Sequence, residues 1–93
     1  MWYTYLLHCA DNTLYCGITT NLERRIQEHN GIRHGGAKYT RARRPVHLCT
    51  YTESISRSEA TLLENHIRNL QRKDKIYTLQ YFYAKSLMFK SKN

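Results

Sequence analysis

Long apolar runs are missing from these 93 residues, and so are internal repeats, low-complexity tracts and Cys-x-x-Cys spacing. No stretch approaches the ~20 apolar residues that a membrane-spanning helix needs. The amino terminus, Met1-Trp2-Tyr3-Thr4, has no charged region ahead of an apolar core, so no export signal is expected. Cysteine is scarce. Cys9, Cys16 and Cys49 leave an odd thiol and read as reduced thiols packed as small hydrophobes, not as a disulfide or zinc framework. The expected location is therefore cytoplasmic. Acidic residues are also few: seven Asp and Glu stand against fifteen Lys and Arg, for a net charge of +8. On so small a surface that excess makes a strongly positive field. The cations are scattered over the whole chain and do not line one amphipathic helix, which favours nucleic acid over an anionic membrane as partner.

Hydrophobic residues make up 41% of the chain, enough for an ordinary folded domain, and the length suits one domain over residues 1–93. Trp2–Cys9 and Leu14–Thr19 read as strands joined by the turn residues Asp11-Asn12-Thr13, that is, as a β-hairpin. Along the first strand Tyr3, Tyr5, Leu7 and Cys9 face one way and Trp2, Thr4, Leu6 and His8 the other. Gly17 in the second strand removes a side chain where another group can come close. Thr20-Asn21-Leu22-Glu23 has capping-box spacing and opens a helix ending near Asn30-Gly31. Gly31–Arg44 is a long basic connection, and Pro45 opens a third strand through Val46, Leu48, Cys49 and Tyr51. Ser56-Arg57-Ser58-Glu59 caps a second helix. A third is expected over Asp74–Phe89, with Ile76, Leu79, Tyr83 and Leu87 on one side, its aromatics Tyr77, Tyr81, Phe82 and Tyr83 packing a core, and a frayed tail at Lys90–Asn93. The predicted fold is α+β: a three-stranded antiparallel sheet flanked by helices in the order β-β-α-β-α-α.

Two of these helices carry polar groups on their apolar stripes. Leu22 and Ile26 share a face with Arg25 and His29, and Ala60, Leu63, Ile67 and Leu70 share one with Glu64. An unpaired buried charge costs several kcal/mol or more, so all three polar side chains are expected at the rim of a common cleft. A carboxylate, a guanidinium and an imidazole facing one cleft suit work on a phosphodiester.

Tyr3-Thr4-Tyr5, then Tyr15-Cys16-Gly17, then Asn21 to His29, then Glu64, in that order and at these distances, resemble the GIY-YIG nuclease superfamily. Gly36-Ala37-Lys38-Tyr39-Thr40-Arg41 followed by Arg44-Pro45-Val46 is similar to its compact standalone bacterial branch. The resemblance covers roughly residues 3–76. It departs from the family at Tyr3 and Thr4, which replace the first motif's Gly and Ile, and at Cys16, which replaces an aliphatic residue. It offers no good counterpart for the Asn that some relatives carry near the carboxyl end; neither Asn65 nor Asn69 suits.

The resemblance implies a metal-dependent DNA endonuclease. Glu64 would hold a single Mg²⁺ (or Mn²⁺), a hard cation that takes carboxylate oxygen and keeps several waters. Arg25 would contact the scissile phosphate and stabilise charge in the transition state. Tyr5 would serve as general base, directly or through His29, and Tyr15 would position water or phosphate. A free phenol titrates near ~10, so Tyr5 needs help from Arg25, the metal or a proton relay. The implied products are 5′-phosphate and 3′-hydroxyl ends. Arg24, Lys38, Tyr39, Arg41, Arg43 and Arg44 are the candidate nucleic-acid contacts, a backbone clamp beside the site. Single-stranded or branched DNA is the expected substrate, since so small a protein has little surface for reading a long duplex. No protein partner is indicated. The competing reading is a basic nucleic-acid-binding module, on DNA or structured RNA, that keeps the fold without turnover.

Overall fold

Strand alternation sets the architecture. A computed structural model describes residues 1–91, with side chains through residue 88. β1 (Trp2–His8) is the central strand, pairing antiparallel with β2 (Leu14–Thr19) on one side and β3 (His47–Ser54) on the other, in the order β2-β1-β3. Tyr5 stands opposite Gly17 in one pairing and Tyr51 in the other. A register shift between Leu6 and Leu7 marks an irregularity against β3. At the hairpin, Asn12 takes a positive φ of 68°, a conformation Asn tolerates better than most side chains.

Each face of the sheet has its own core, as the alternation of β1 requires. Tyr5, Leu7, Cys9 and Val46 form one, with Leu22 and Ile26 of α1 (Leu22–His29) packed on it. Leu6, Cys16, Ile67 and Leu79 form the other, covered by α3 (Arg57–Arg68) and α4 (Arg72–Ser91). Thr4, on the same side as Leu6, donates its hydroxyl to the Ala60 carbonyl of α3 at 3.1 Å. The long connection holds one further short helix, α2 (Lys38–Arg41), which the expected element order lacks.

Several expected details are corrected. The first cap is Asn21, not Thr20: its side chain accepts the Arg24 N–H at 3.0 Å, and the helix starts one residue later. α1 ends in a Schellman motif, with Gly31 N–H on the Glu28 carbonyl and Ile32 N–H on the Gln27 carbonyl. Gly31 has φ of +80°, the left-handed value that such a stop requires. The second cap stands as expected, with Ser56 Oγ accepting from Glu59 N–H at 3.2 Å.

α4 departs most from expectation. Leu79 is buried and Tyr83 packs edge-on against Tyr51, but Tyr77, Tyr81, Phe82 and Leu87 are exposed. Tyr77, Tyr81 and Phe82 alternate with the packed Ile76, Leu79 and Tyr83 and so lie on the outer side of the helix, while Leu87, one turn past Tyr83, is also exposed. The helix also continues through residues 90 and 91 where a frayed tail was expected; residues 92 and 93 lie outside the described residues.

Candidate active site

Gly17 is where the site begins. Cross-strand partners share a face, and with no side chain at position 17 the Tyr5 ring lies over the opposite strand. A Cβ there would sit 2.5 Å from the Tyr5 hydroxyl oxygen and 3.2 Å from the Tyr15 ring. The close approach anticipated at this glycine is therefore the approach of Tyr5 itself. Its hydroxyl reaches the last turn of α1, 2.8 Å from His29 Nε2. The Tyr15 ring meets His29 edge-on at 5.0 Å, and Tyr39 packs beyond it, 5.7 Å from Tyr15.

His29 is fully buried, not placed at a cleft rim as its helical stripe suggested. The physical reason is that it is not a charge. Both ring nitrogens have partners, Nε2 on Tyr5 and Nδ1 on Thr40 Oγ1 at 2.8 Å, and a neutral imidazole with both edges bonded is cheap to bury. Burial, and after it the nearby Arg25 charge, push its pKa down to about 4. Tyr5 shifts the other way: burial raises it well above the ordinary phenol value, while the Arg25 guanidinium beside its hydroxyl opposes the rise. At neutral pH the pair is thus a neutral phenol on a neutral imidazole.

Arg25 is held in place by its own helix and by the loop. Its Nη1 donates to Glu28 Oε1 at 2.8 Å and to the Gly35 carbonyl, so the guanidinium is anchored on one side and turned to Tyr5 on another. Glu28 also pairs with Arg24 at 3.5 Å.

Glu64 stands apart from this cluster. It belongs to α3, on the opposite face of the sheet, and among the described residues no hydrogen bond or ion pair joins it to Tyr5, Tyr15, Arg25 or His29. Its carboxylate is 15% exposed and lies 3.9 Å from Arg68, one turn on. It is close enough to edge strand β2 to act on Cys16, whose thiol is pushed up to about 12 by burial first and Glu64 second. The two faces communicate around that edge. Adjacent residues Tyr15 and Cys16 face opposite sides, yet both line one cleft of about 260 Å³ with Leu14, Tyr39, Arg68 and Lys75. Among the described residues no group of three or more His, Cys, Asp or Glu could cage a metal.

The basic connection divides into two kinds of cation. Lys38 and Arg41 are exposed, and Arg41 lines a cavity of about 550 Å³ with Arg33, His34 and Arg44. Arg24 is exposed as well. Arg43 and Arg44 are tied into the fold. Arg43 pairs with Asp11 at 2.9 Å, donates to the Tyr39 carbonyl at 2.8 Å, and lies 3.9 Å from the Tyr39 ring centroid. Arg44 Nε donates to the His29 carbonyl at 2.6 Å, closing the end of α1. Sequence reasoning had missed Thr40 and Glu28. The signal for Glu28 was its spacing, three residues beyond Arg25 on one helix face; for Thr40 there was only its place in Gly36–Arg41.

The sequence profile described as the GIY-YIG catalytic domain matches residues 1–78. A UPF0213 protein of Desulfotalea psychrophila is 52% identical over 69 residues, 74% of this chain and 62% of that one. A UPF0213 protein of Nitratidesulfovibrio vulgaris is 47% identical over 68 residues, 73% of this chain and 60% of that one. The chain therefore spans about three fifths of the length of these relatives. A protein of E. faecalis, solved in solution by NMR, superimposes with a TM-score of 0.59 at 44% identity, covering 88% of this chain and 85% of its own.

Proposed function

We propose, from the premise that this chain belongs to the GIY-YIG catalytic-domain family, that it is a metal-dependent endonuclease hydrolysing phosphodiester bonds in DNA, with single-stranded or branched forms preferred. The observation that carries this reading is the Tyr5 hydroxyl bonded to Nε2 of a buried, neutral His29 with the Arg25 guanidinium alongside. A tyrosine that must take a proton from water gains a stabilised phenolate and an acceptor for its own proton.

The chemistry follows from these groups. An O–H bond of the attacking water breaks as a new O–H bond forms on Tyr5, whose original proton passes to His29 Nε2. The water oxygen bonds phosphorus, and the bond to the 3′ oxygen breaks, leaving that oxygen to be protonated from solvent. Arg25 offers a planar fork of donors to the phosphoryl oxygens as their charge grows. Tyr15, packed on His29 at the mouth of the cleft, orients water or phosphate.

A divalent metal fits the donor chemistry at Glu64. This part-exposed carboxylate, 3.9 Å from an Arg68 that lines the cleft, is a hard oxygen ligand of the kind Mg²⁺ or Mn²⁺ takes while retaining waters. When bound, the ion would supply positive charge to the phosphate and the departing oxygen. Lys38, Arg41 and Arg24 contact the substrate backbone from the exposed side of the loop and helix.

Labelled single-stranded, duplex and branched DNA incubated with Mg²⁺ or Mn²⁺ tests this. Cleavage should require metal and vanish in Arg25→Ala and Glu64→Ala while binding largely survives. Binding without cleavage of any substrate, weakening steeply with salt, would establish instead a nucleic-acid-binding module.

A further inference from the structure

Thr40 lies at the inner face of α2, fully buried, where neither charge nor exposure marks it. Its hydroxyl has one proton to give. The Ala37 carbonyl, 3.0 Å away at the helix cap, receives it. Toward His29 the same oxygen can then only accept, and at 2.8 Å it takes Nδ1–H. That assignment fixes the imidazole's other edge, because a neutral ring with its proton on Nδ1 has a bare lone pair on Nε2.

The Tyr5 hydroxyl fits the same arrangement. With a bare lone pair on Nε2 at 2.8 Å, the phenol proton of Tyr5 has an acceptor there. Running outward, Tyr5 O–H donates to His29 Nε2, His29 Nδ1–H to Thr40 Oγ1, and Thr40 O–H to the Ala37 carbonyl. Every donor and acceptor is used once and in one direction.

We infer that Thr40 is a positioning residue of this centre: its hydroxyl holds His29 as the Nδ1–H tautomer, so that Nε2 is free to take the Tyr5 proton. The histidine alone does not ensure this, since the opposite tautomer would put a proton where the relay needs a lone pair. After transfer the imidazolium carries protons on both nitrogens, and Thr40 still accepts the inner one. The same four-residue helix presents Lys38 and Arg41 outward, so the proposed backbone contacts and the buried end of the relay belong to one element.

The kinetic consequence rests on the nuclease reading; the tautomer does not. Nitrogen-15 spectra of the His29 ring, recorded on metal-free protein without DNA at neutral pH, should show a protonated Nδ1 and a bare Nε2 in the wild type and in Thr40→Ser. Thr40→Val, which keeps the shape and removes the hydroxyl, should shift the ring to a mixture or to the Nε2–H form. With Mg²⁺ and a cleavable DNA, Thr40→Val should lower kcat roughly 10- to 100-fold with KM little changed, and Thr40→Ser should restore it. A wild-type ring protonated on Nε2, or a Thr40→Val protein with unchanged ring spectrum and kcat, overturns the inference. If no DNA is cut by the wild type, the nuclease reading fails while the spectra still decide the role of Thr40. Should Thr40→Val not fold, the wild-type and Thr40→Ser spectra decide it alone.

Discussion

At the scale of single residues, the site depends on one absent side chain and one absent charge. Gly17→Ala would press a methyl group into the Tyr5 ring, which is itself enclosed and cannot swing aside. The variant should lose about 1–3 kcal/mol of stability, the usual cost of overpacking, and most of the proposed cleavage activity because the hydroxyl moves off His29. Urea unfolding and a cleavage assay read the two effects separately. For the absent charge, His29 binds its proton near 6.5 when unfolded but near 4 when folded. Between those values the unfolded chain holds more protons, so stability falls as pH drops from 6.5 to about 4 and this contribution levels off below. The loss should reach roughly 2–3 kcal/mol, and His29→Gln should show a correspondingly shallower decline in urea midpoint across that window. Tyr5 and Tyr15 were singled out by the motifs that carry the family resemblance and Gly17 by its missing side chain; the pairing of β1 with β2 then puts all three on one face. The burial of His29 was not legible, since its cost turns on protonation state and on a hydroxyl eleven residues away in a loop.

At the scale of elements, the end of α1 is the joint that matters. Asn30 spans it to the start of β3: its side chain donates to the Val46 carbonyl at 3.0 Å and accepts the Val46 N–H at 2.7 Å. Val46 is buried, so Asn30→Ala strands two backbone groups and should cost about 2–4 kcal/mol, seen as a lower urea midpoint with unchanged slope. The same loss should loosen the turn that carries His29 and weaken cleavage. Sequence placed α1 to within a residue because caps are local chemistry; Asn21 and not Thr20 is the cap because its Oδ1 accepts the Arg24 N–H. This clamp was invisible, as nothing local distinguishes an Asn at a helix end from one bonded across 16 residues. For α4 the periodicity that set Ile76, Leu79 and Tyr83 inward was sound, but Tyr77, Tyr81 and Phe82 lie off that stripe and aromatic character alone did not bury them.

At the scale of the whole molecule, the net charge of +8 suits the nucleic-acid partner proposed above but does not say which cations would touch it. The fold sorts them. Lys38 projects from α2 into solvent, whereas the Arg44 head group closes the end of α1 on the His29 carbonyl and fills the space beside Gly31. If Lys38 contacts a phosphate, Lys38→Ala should lower DNA affinity uniformly across sequences, reduce the salt dependence of binding by about one counterion, and leave the unfolding midpoint unchanged. Arg44→Ala should instead lower stability by about 1–2 kcal/mol, the worth of a charged hydrogen bond at a helix end, and impair the proposed cleavage through the displaced His29. Titrations of a labelled single strand at several salt concentrations, paired with urea unfolding of each variant, separate the two. A Lys38→Ala protein that binds with wild-type salt dependence would remove Lys38 from the proposed nucleic-acid interface, and the contact would then have to fall to Arg41, Arg24 or other cations.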